Sequence, residues 1–159
     1  GFADFMTITL DISDRRILIE LQANARLTNL ELAQRVGISA SSCLRRVRFM
    51  EEAGLVKGYA LVLDPKAAGV PGNAFVQITL DGQRRAFLDA FEAAITKVPE
   101  VLSCHLLAGA ADYLVHIAFR DTADLERIHT DVLTRLPHVA RLQSTLSLRT
   151  IKQGTALPI

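Results

Sequence analysis

Apolar residues in the first third of the chain recur at helical spacing, three times over. Ile17, Leu18 and Leu21 share one face of a segment over 12–23, with Asp11 placed to cap it. Leu32, Ala33 and Val36 stripe a second, shorter segment, opened by Thr28 and Glu31 in the T-x-x-E spacing of a capping box. Cys43, Val47 and Met50 follow at i, i+4 and i+7 on a third. Between the second and third stands Gly37-Ile38-Ser39. Glycine can take the left-handed conformation that ends one helix, and serine can cap the next. The pattern predicts a three-helix bundle closing near Gly54, with a helix-turn-helix over 28–50.

From there the period shifts toward two. Residues 57–63, KGYALVL, read as a strand, and 64–72 are rich in turn residues. Residues 74–80 form a strand with Val76, Ile78 and Leu80 on one face. Residues 84–97 form a helix burying Phe87, Phe91, Ile95 and Val98. Strands over 101–108 and 112–119 flank a turn at Gly109-Ala110-Ala111. A second helix over 122–135 turns Leu125, Ile128, Val132 and Leu136 inward, and 139–148 is the last strand. The order is βαββαβ, a ferredoxin-like sandwich. Val98-Pro99-Glu100-Val101 and Leu136-Pro137-His138-Val139 repeat one helix-to-strand junction, as if one βαβ unit were used twice. The fold class is therefore α+β, in four parts. Residues 1–6 lead in, with Met6 a candidate natural start. Residues 7–56 are the helix-turn-helix domain, 57–72 a strand and linker, and 73–159 the ferredoxin-like domain.

Tyr113, Val115 and Ile117 alternate with Leu114 and Ala118, so both faces of that strand are apolar. A sheet with helices over one face needs a second subunit over the other. The 57–63 strand, too short to stand alone, is expected to pair with its counterpart. Half of the 159 residues are apolar, a surplus that subunit interfaces would absorb. No apolar run reaches transmembrane length and no signal peptide is evident, so cytoplasmic residence, on the nucleoid, is the expectation. Cys43 and Cys104 read as reduced thiols. His105, His116, His129 and His138 lack metal-ligand spacing. No catalytic constellation, metal site or cofactor is predicted.

Net charge is only +1, yet residues 39–50 hold three arginines and no acid. Opposite the apolar stripe of the third helix lie Ser41, Arg45 and Arg48, with Arg46 on the flank, and Ser39 and Ser42 stand at its capped start. Hydroxyls and arginines on the exposed side of a helix suit a major groove, and these six are the candidate DNA contacts. The plainer alternative is a solvated basic face. One such patch would bind weakly and salt-sensitively, which argues for two or more acting together.

Several motifs together resemble the leucine-responsive regulatory protein/AsnC family of bacterial and archaeal transcription regulators. They are Leu10-Asp11, Asp14 and Ile17-Leu18, then Leu21-Gln22, Glu31-Leu32-Ala33, Gly37-Ile38-Ser39 and Arg46-Val47. Gly58-Tyr59, Cys104-His105-Leu106-Leu107, Gly109 and Asp112-Tyr113 complete the set. The resemblance covers the chain after Met6. It implies double-stranded DNA and a free amino acid as partners, and a homodimer assembling to an octamer or related ring. It also implies an effector loop at Gly109, Ala110 and Asp112, with Gln143 and Ser144 from the last strand. Backbone N–H groups near Gly109 would meet the α-carboxylate and Asp112 the α-ammonium. From the residues alone, Gly109 and Asp112 serve equally as hairpin-turn formers. Ala108 and Leu142 stand where hydroxyl residues are common in the family. The pocket therefore reads as apolar, and leucine or a similar amino acid as the first effector to try. Two other functions fit the fold. One is an architectural DNA-binding oligomer without a ligand. The other is a haem-pathway decarboxylase, to which His105 and His116 on adjacent strands could be recruited.

Overall fold

The computed structural model describes residues 8–159. The lead-in over 1–6 and its candidate start Met6 therefore lie outside the described residues. The chain forms two compact units. One runs to Leu61 and includes Lys152–Ile159; the other is Val62–Ile151.

In the first unit, α1 (Ile12–Ala23), α2 (Asn29–Val36) and α3 (Ala40–Glu52) form the expected bundle. Asp11 and Asp14 make a reciprocal capping box at the start of α1. Thr28 and Glu31 make another at α2. Each box satisfies two of the backbone N–H groups that a helix start leaves open. Gly37 ends α2 at φ +80°, where a side chain would be strained. Ile17, Leu18, Leu32, Ala33, Val36, Cys43 and Met50 are the buried core, with Leu21 and Val47 partly buried against it. A fully buried aliphatic side chain contributes about 1.5–3 kcal/mol, so the stripes read from sequence hold the bundle together.

Residues 57–63, read from sequence as a strand that pairs with its counterpart in a second subunit, form no ladder within the single chain among the described residues. Leu61 and Val62 are 84% and 85% exposed. Tyr59 fastens the segment, its hydroxyl donating to Glu51 on α3 at 2.8 Å. Burial and that carboxylate push the phenol up to about 12.

The second unit holds β1 (Gly72–Leu80), α4 (Arg85–Ile95), β2 (Val101–Leu106), β3 (Tyr113–Phe119), α5 (Thr122–Arg127) and β4 (Val139–Leu146). The sheet order is β2-β3-β1-β4, with every neighbouring pair antiparallel. This is the βαββαβ sandwich. Ala74, Val76, Ile78 and Leu80 on β1 and Tyr113, Val115 and Ile117 on β3 pack against Phe91 and Ile95 of α4. Gly72 opens β1 opposite Phe119, whose ring would lie 2.2 Å from any added Cβ.

The second helix departs from its expected face. After Arg127 it widens into a π-helical turn over Ile128–Val132 and tightens into a 3-10 turn over Leu133–Arg135. The widened turn inserts one residue into the repeat. Ile128 and Leu133 are fully buried, whereas Val132, expected inward, is only half-buried.

Candidate DNA-reading helix and effector loop

α3 is presented by its two neighbours. Ser39 caps it, its side chain accepting the Ser42 N–H at 3.2 Å, and lies 3.3 Å from the Ser41 hydroxyl. Asn29 of α2 donates through Nδ2 to the Ala40 carbonyl at 2.8 Å and so fixes the turn between the helices. Asn29 escaped the sequence reading. An asparagine at the first position of a helix gives no local sign of a partner eleven residues on. The first turn of α3 carries no acid, which leaves its positive dipole end open to phosphate.

Arg45 and Arg48 are exposed, on the side opposite buried Cys43 and Met50. Arg46 corrects the expected set. Its Nη1 donates to Asp11 at 2.6 Å and to Asp14 at 2.9 Å, and its side chain is only 24% exposed. Hydrogen bonds to the two carboxylates push the guanidinium further up from its ordinary value. Asp11 is held below the usual carboxylate range, first by the Asp14 N–H and then by Arg46. Ser42 turns the same way, its hydroxyl oxygen accepting a long bond from Arg46 Nε at 3.5 Å. Arg46 therefore ties α3 to the start of α1. The free basic face is Arg45 and Arg48.

The loop between β2 and β3 is closed at its base. The Leu107 N–H donates to the Asp112 carbonyl at 2.8 Å, and the Asp112 N–H to the Ile78 carbonyl at 3.0 Å. Above that base, residues 108–110 are exposed. Asp112 corrects the expectation of a free carboxylate. It is 6% exposed, and both oxygens are taken. Oδ2 accepts the buried Leu80 N–H at 2.8 Å and Oδ1 accepts from Gln83 Nε2 at 2.9 Å. The reason lies in β1. Its pairing with β4 shifts register between Thr79 and Leu80, and the carboxylate takes the amide at that irregularity. Gly109 does not take a positive φ, so the turn does not demand glycine, and a Cβ there would meet nothing within 4 Å.

Gln143 and Ser144 lie on β4 opposite Gln77 and Val76, and both are exposed. Successive strand residues point to opposite faces, so the two do not aim into one site within a single chain. Leu142 pairs with Ile78, which puts it and the loop base on either side of β1. On the sheet face away from the helices, the His116 ring stacks on Phe75 at 4.6 Å and bonds Asn73 at 3.0 Å. Burial holds its pKa down. His105, opposite Leu114, is exposed. Among the described residues, no group of three or more His, Cys, Asp and Glu is placed to hold a metal ion. No helix among them is long and apolar enough to cross a membrane.

Comparison with known proteins bears on both units. Residues 10–57 match a winged helix-turn-helix DNA-binding domain, and residues 73–157 match the Lrp/AsnC ligand binding domain. The proline dehydrogenase transcriptional activator of Rhodobacter capsulatus is 40% identical over 146 residues, 92% of this chain and 95% of its own length. The leucine-responsive regulatory protein of Salmonella typhimurium is 37% identical over 150 residues, 94% of this chain and 92% of its own. Among solved structures, a transcriptional regulator from Neisseria meningitidis in complex with L-methionine superposes with a TM-score of 0.89. It is 40% identical, over 94% of this chain and 97% of that one. With a DNA-binding helix-turn-helix followed by this ligand-binding domain, the chain belongs to the Lrp/AsnC family of transcriptional regulators.

Proposed function

We propose that α3 reads the major groove of duplex DNA through Arg45 and Arg48, with Ser39 and Ser41 at its capped start meeting backbone phosphate. The observation that carries this reading is the sorting of the arginines. Arg46 is spent on Asp11 and Asp14, while Arg45 and Arg48 stand on the exposed side of a helix fixed at its start by Ser39 and Asn29. A free amino acid is the effector, bound at the exposed 108–110 backbone with Gln143 and Ser144 supplied across a subunit contact. The apolar surroundings of Leu107, Ala108 and Leu142 favour an uncharged side chain. The likeness to a regulator crystallised with L-methionine and to leucine-responsive proteins supports this choice. Because Asp112 is engaged, the ammonium meets loop carbonyls in its place. The working form is a homodimer, joined through residues 57–63 and the open sheet face, that stacks further into an octamer or related ring. It acts in the cytoplasm on the nucleoid, as a regulator and not an enzyme.

The engagement of Asp112 also favours a second reading, an architectural DNA-binding oligomer that takes no ligand. Operator affinity measured with and without leucine, methionine and the other common amino acids separates the two. An effector shifts affinity or assembly size through its preference for one state. No response to any amino acid leaves the architectural reading.

A further inference from the structure

Gln22 sits near the end of α1, and 135 positions later in sequence Leu157 lies against it. The side-chain amide makes both bonds that a neighbouring strand would make. Nε2 donates to the Leu157 carbonyl at 3.1 Å, and Oε1 accepts the Leu157 N–H at 2.6 Å. A primary amide has the donor and acceptor for this, and here it binds a peptide unit whatever its side chain. Leu157 is 69% exposed, so apolar burial does not explain the docking. Lys152–Ile159 accordingly groups with the helical unit, although the chain reaches it from the sheet.

Two attachments bracket the segment. On the sheet side, β4 carries Gln143 and Ser144, and the Ser147 N–H still donates to the Asn73 carbonyl of β1 at 3.0 Å. On the helical side, α1 packs on the other helices through Ile17 and Leu18, and its start is tied to α3 by Arg46. Residues 148–156 span the interval. Two exposed hydrogen bonds make a reversible clasp, because water competes for both.

We propose that Gln22 is a positioning residue that clasps Lys152–Ile159 to α1 and so gives the helical unit a second covalent line to β4, beside residues 53–71, along which the two domains sense each other. The inference rests on DNA reading by α3 but on no particular effector. Coupling between two sites is reciprocal. On this proposal the coupling along the clasp runs both ways, from DNA at α3 to β4 and from β4 to α3.

Hydrogen exchange read by mass spectrometry on the full chain tests this, using a duplex that the wild type selects from a random-sequence pool. In the free wild type, the Leu157 amide of the peptide over 152–159 should exchange at least about tenfold more slowly than in Gln22→Ala. The duplex should change exchange in the β4 peptide of the wild type and leave it unchanged in Gln22→Ala, whose affinity for the duplex stays within about threefold. Deleting Lys152–Ile159 should reproduce the loss, and Gln22→Glu, which keeps only the acceptor, should fall between. The proposal is overturned if that peptide exchanges in the wild type as fast as an unfolded chain. A β4 response that persists in Gln22→Ala overturns it equally. Failure of DNA reading shows separately, as a wild type that selects no duplex, and removes the coupling with it.

Discussion

Asp112→Ala removes two acceptors from the end of the sheet, and their surroundings set the cost. The Leu80 N–H is buried and lies at the register shift between β1 and β4, where the carboxylate is its partner at 2.8 Å. Leaving a buried donor unpaired costs about 1–3 kcal/mol. Gln83 is exposed, and water takes over its half of the second bond, so that loss adds about 0.5–1 kcal/mol. The total is about 1.5–4 kcal/mol. At about 4–8 °C per kcal/mol for a domain of this size, the melting transition should fall by roughly 6 °C or more, with or without amino acid. Asp112→Asn is the sharper variant. Its Oδ1 still accepts from Leu80, and Gln83 can turn its amide to match the new Nδ2, so it should cost under about 1 kcal/mol. Scanning calorimetry on the full chain reads both costs, and a titration with methionine or leucine reads binding. The asparagine variant should melt near the wild type and bind as the wild type does. An asparagine variant that melts normally but binds no amino acid would show that the carboxylate meets the ligand's ammonium, and would refute the reasoning.

Arg45→Ala with Arg48→Ala should lose about 1–3 kcal/mol per guanine edge read, or lower the salt slope by about one unit per phosphate contact; a gel-shift titration across salt concentrations tells which. Normal binding by the double variant would remove α3 from the groove. Leu133→Ala should destabilise the second unit by about 2–5 kcal/mol and Val132→Ala by about 1 kcal/mol or less, because the widened turn buries the former; urea titrations giving the reverse order would restore a regular helix. Asp124 is held well below the carboxylate range by the Arg120 side chain first, then the Arg120 N–H and Arg127. With its folded pKa below the unfolded value of about 3.9, its stabilisation is complete above about pH 4 and drains away as the pH falls further. Asp124→Asn should flatten the acid limb of a stability-against-pH curve below about pH 4, and an unchanged limb would place the acid sensitivity elsewhere.

What was legible in the sequence was local. Thr28 with Glu31, Gly37 and Ser39 each act within four residues, so the helix-turn-helix could be read from spacing alone, and the structure reproduces every cap. The βαββαβ order followed in the same way from alternation and Pro-Val junctions. Roles that depend on distant partners were hidden. Arg46 looked like one more groove contact until Asp11 and Asp14, more than thirty positions away, claimed it. Asp112 reads as a ligand partner in sequence and as a fastener in space, because nothing near it announces the irregularity at Leu80. The strand read at 57–63 has the right residue types, and because its partner was placed in a second subunit, the single chain shows no ladder there. Val132 and Leu133 exchanged places because one inserted residue rotates everything after it, and periodicity assumes there is none.

The loop over 107–111 is fastened only from beneath. Its ends are joined by the Leu107 to Asp112 bond, and the Asp112 carboxylate rivets that junction to β1. The residues between answer to no backbone constraint of their own. Gly109 is free of a positive φ and touches nothing that a methyl group would strike. A segment held this way is interchangeable. Its three exposed positions can be rewritten, lengthened or borrowed from a relative while the sheet below keeps its accounts closed. On the proposed reading of this loop as the effector site, retuning the regulator to another small molecule is a matter of exchanging a cassette, with Leu107 and Asp112 as the sockets left in place.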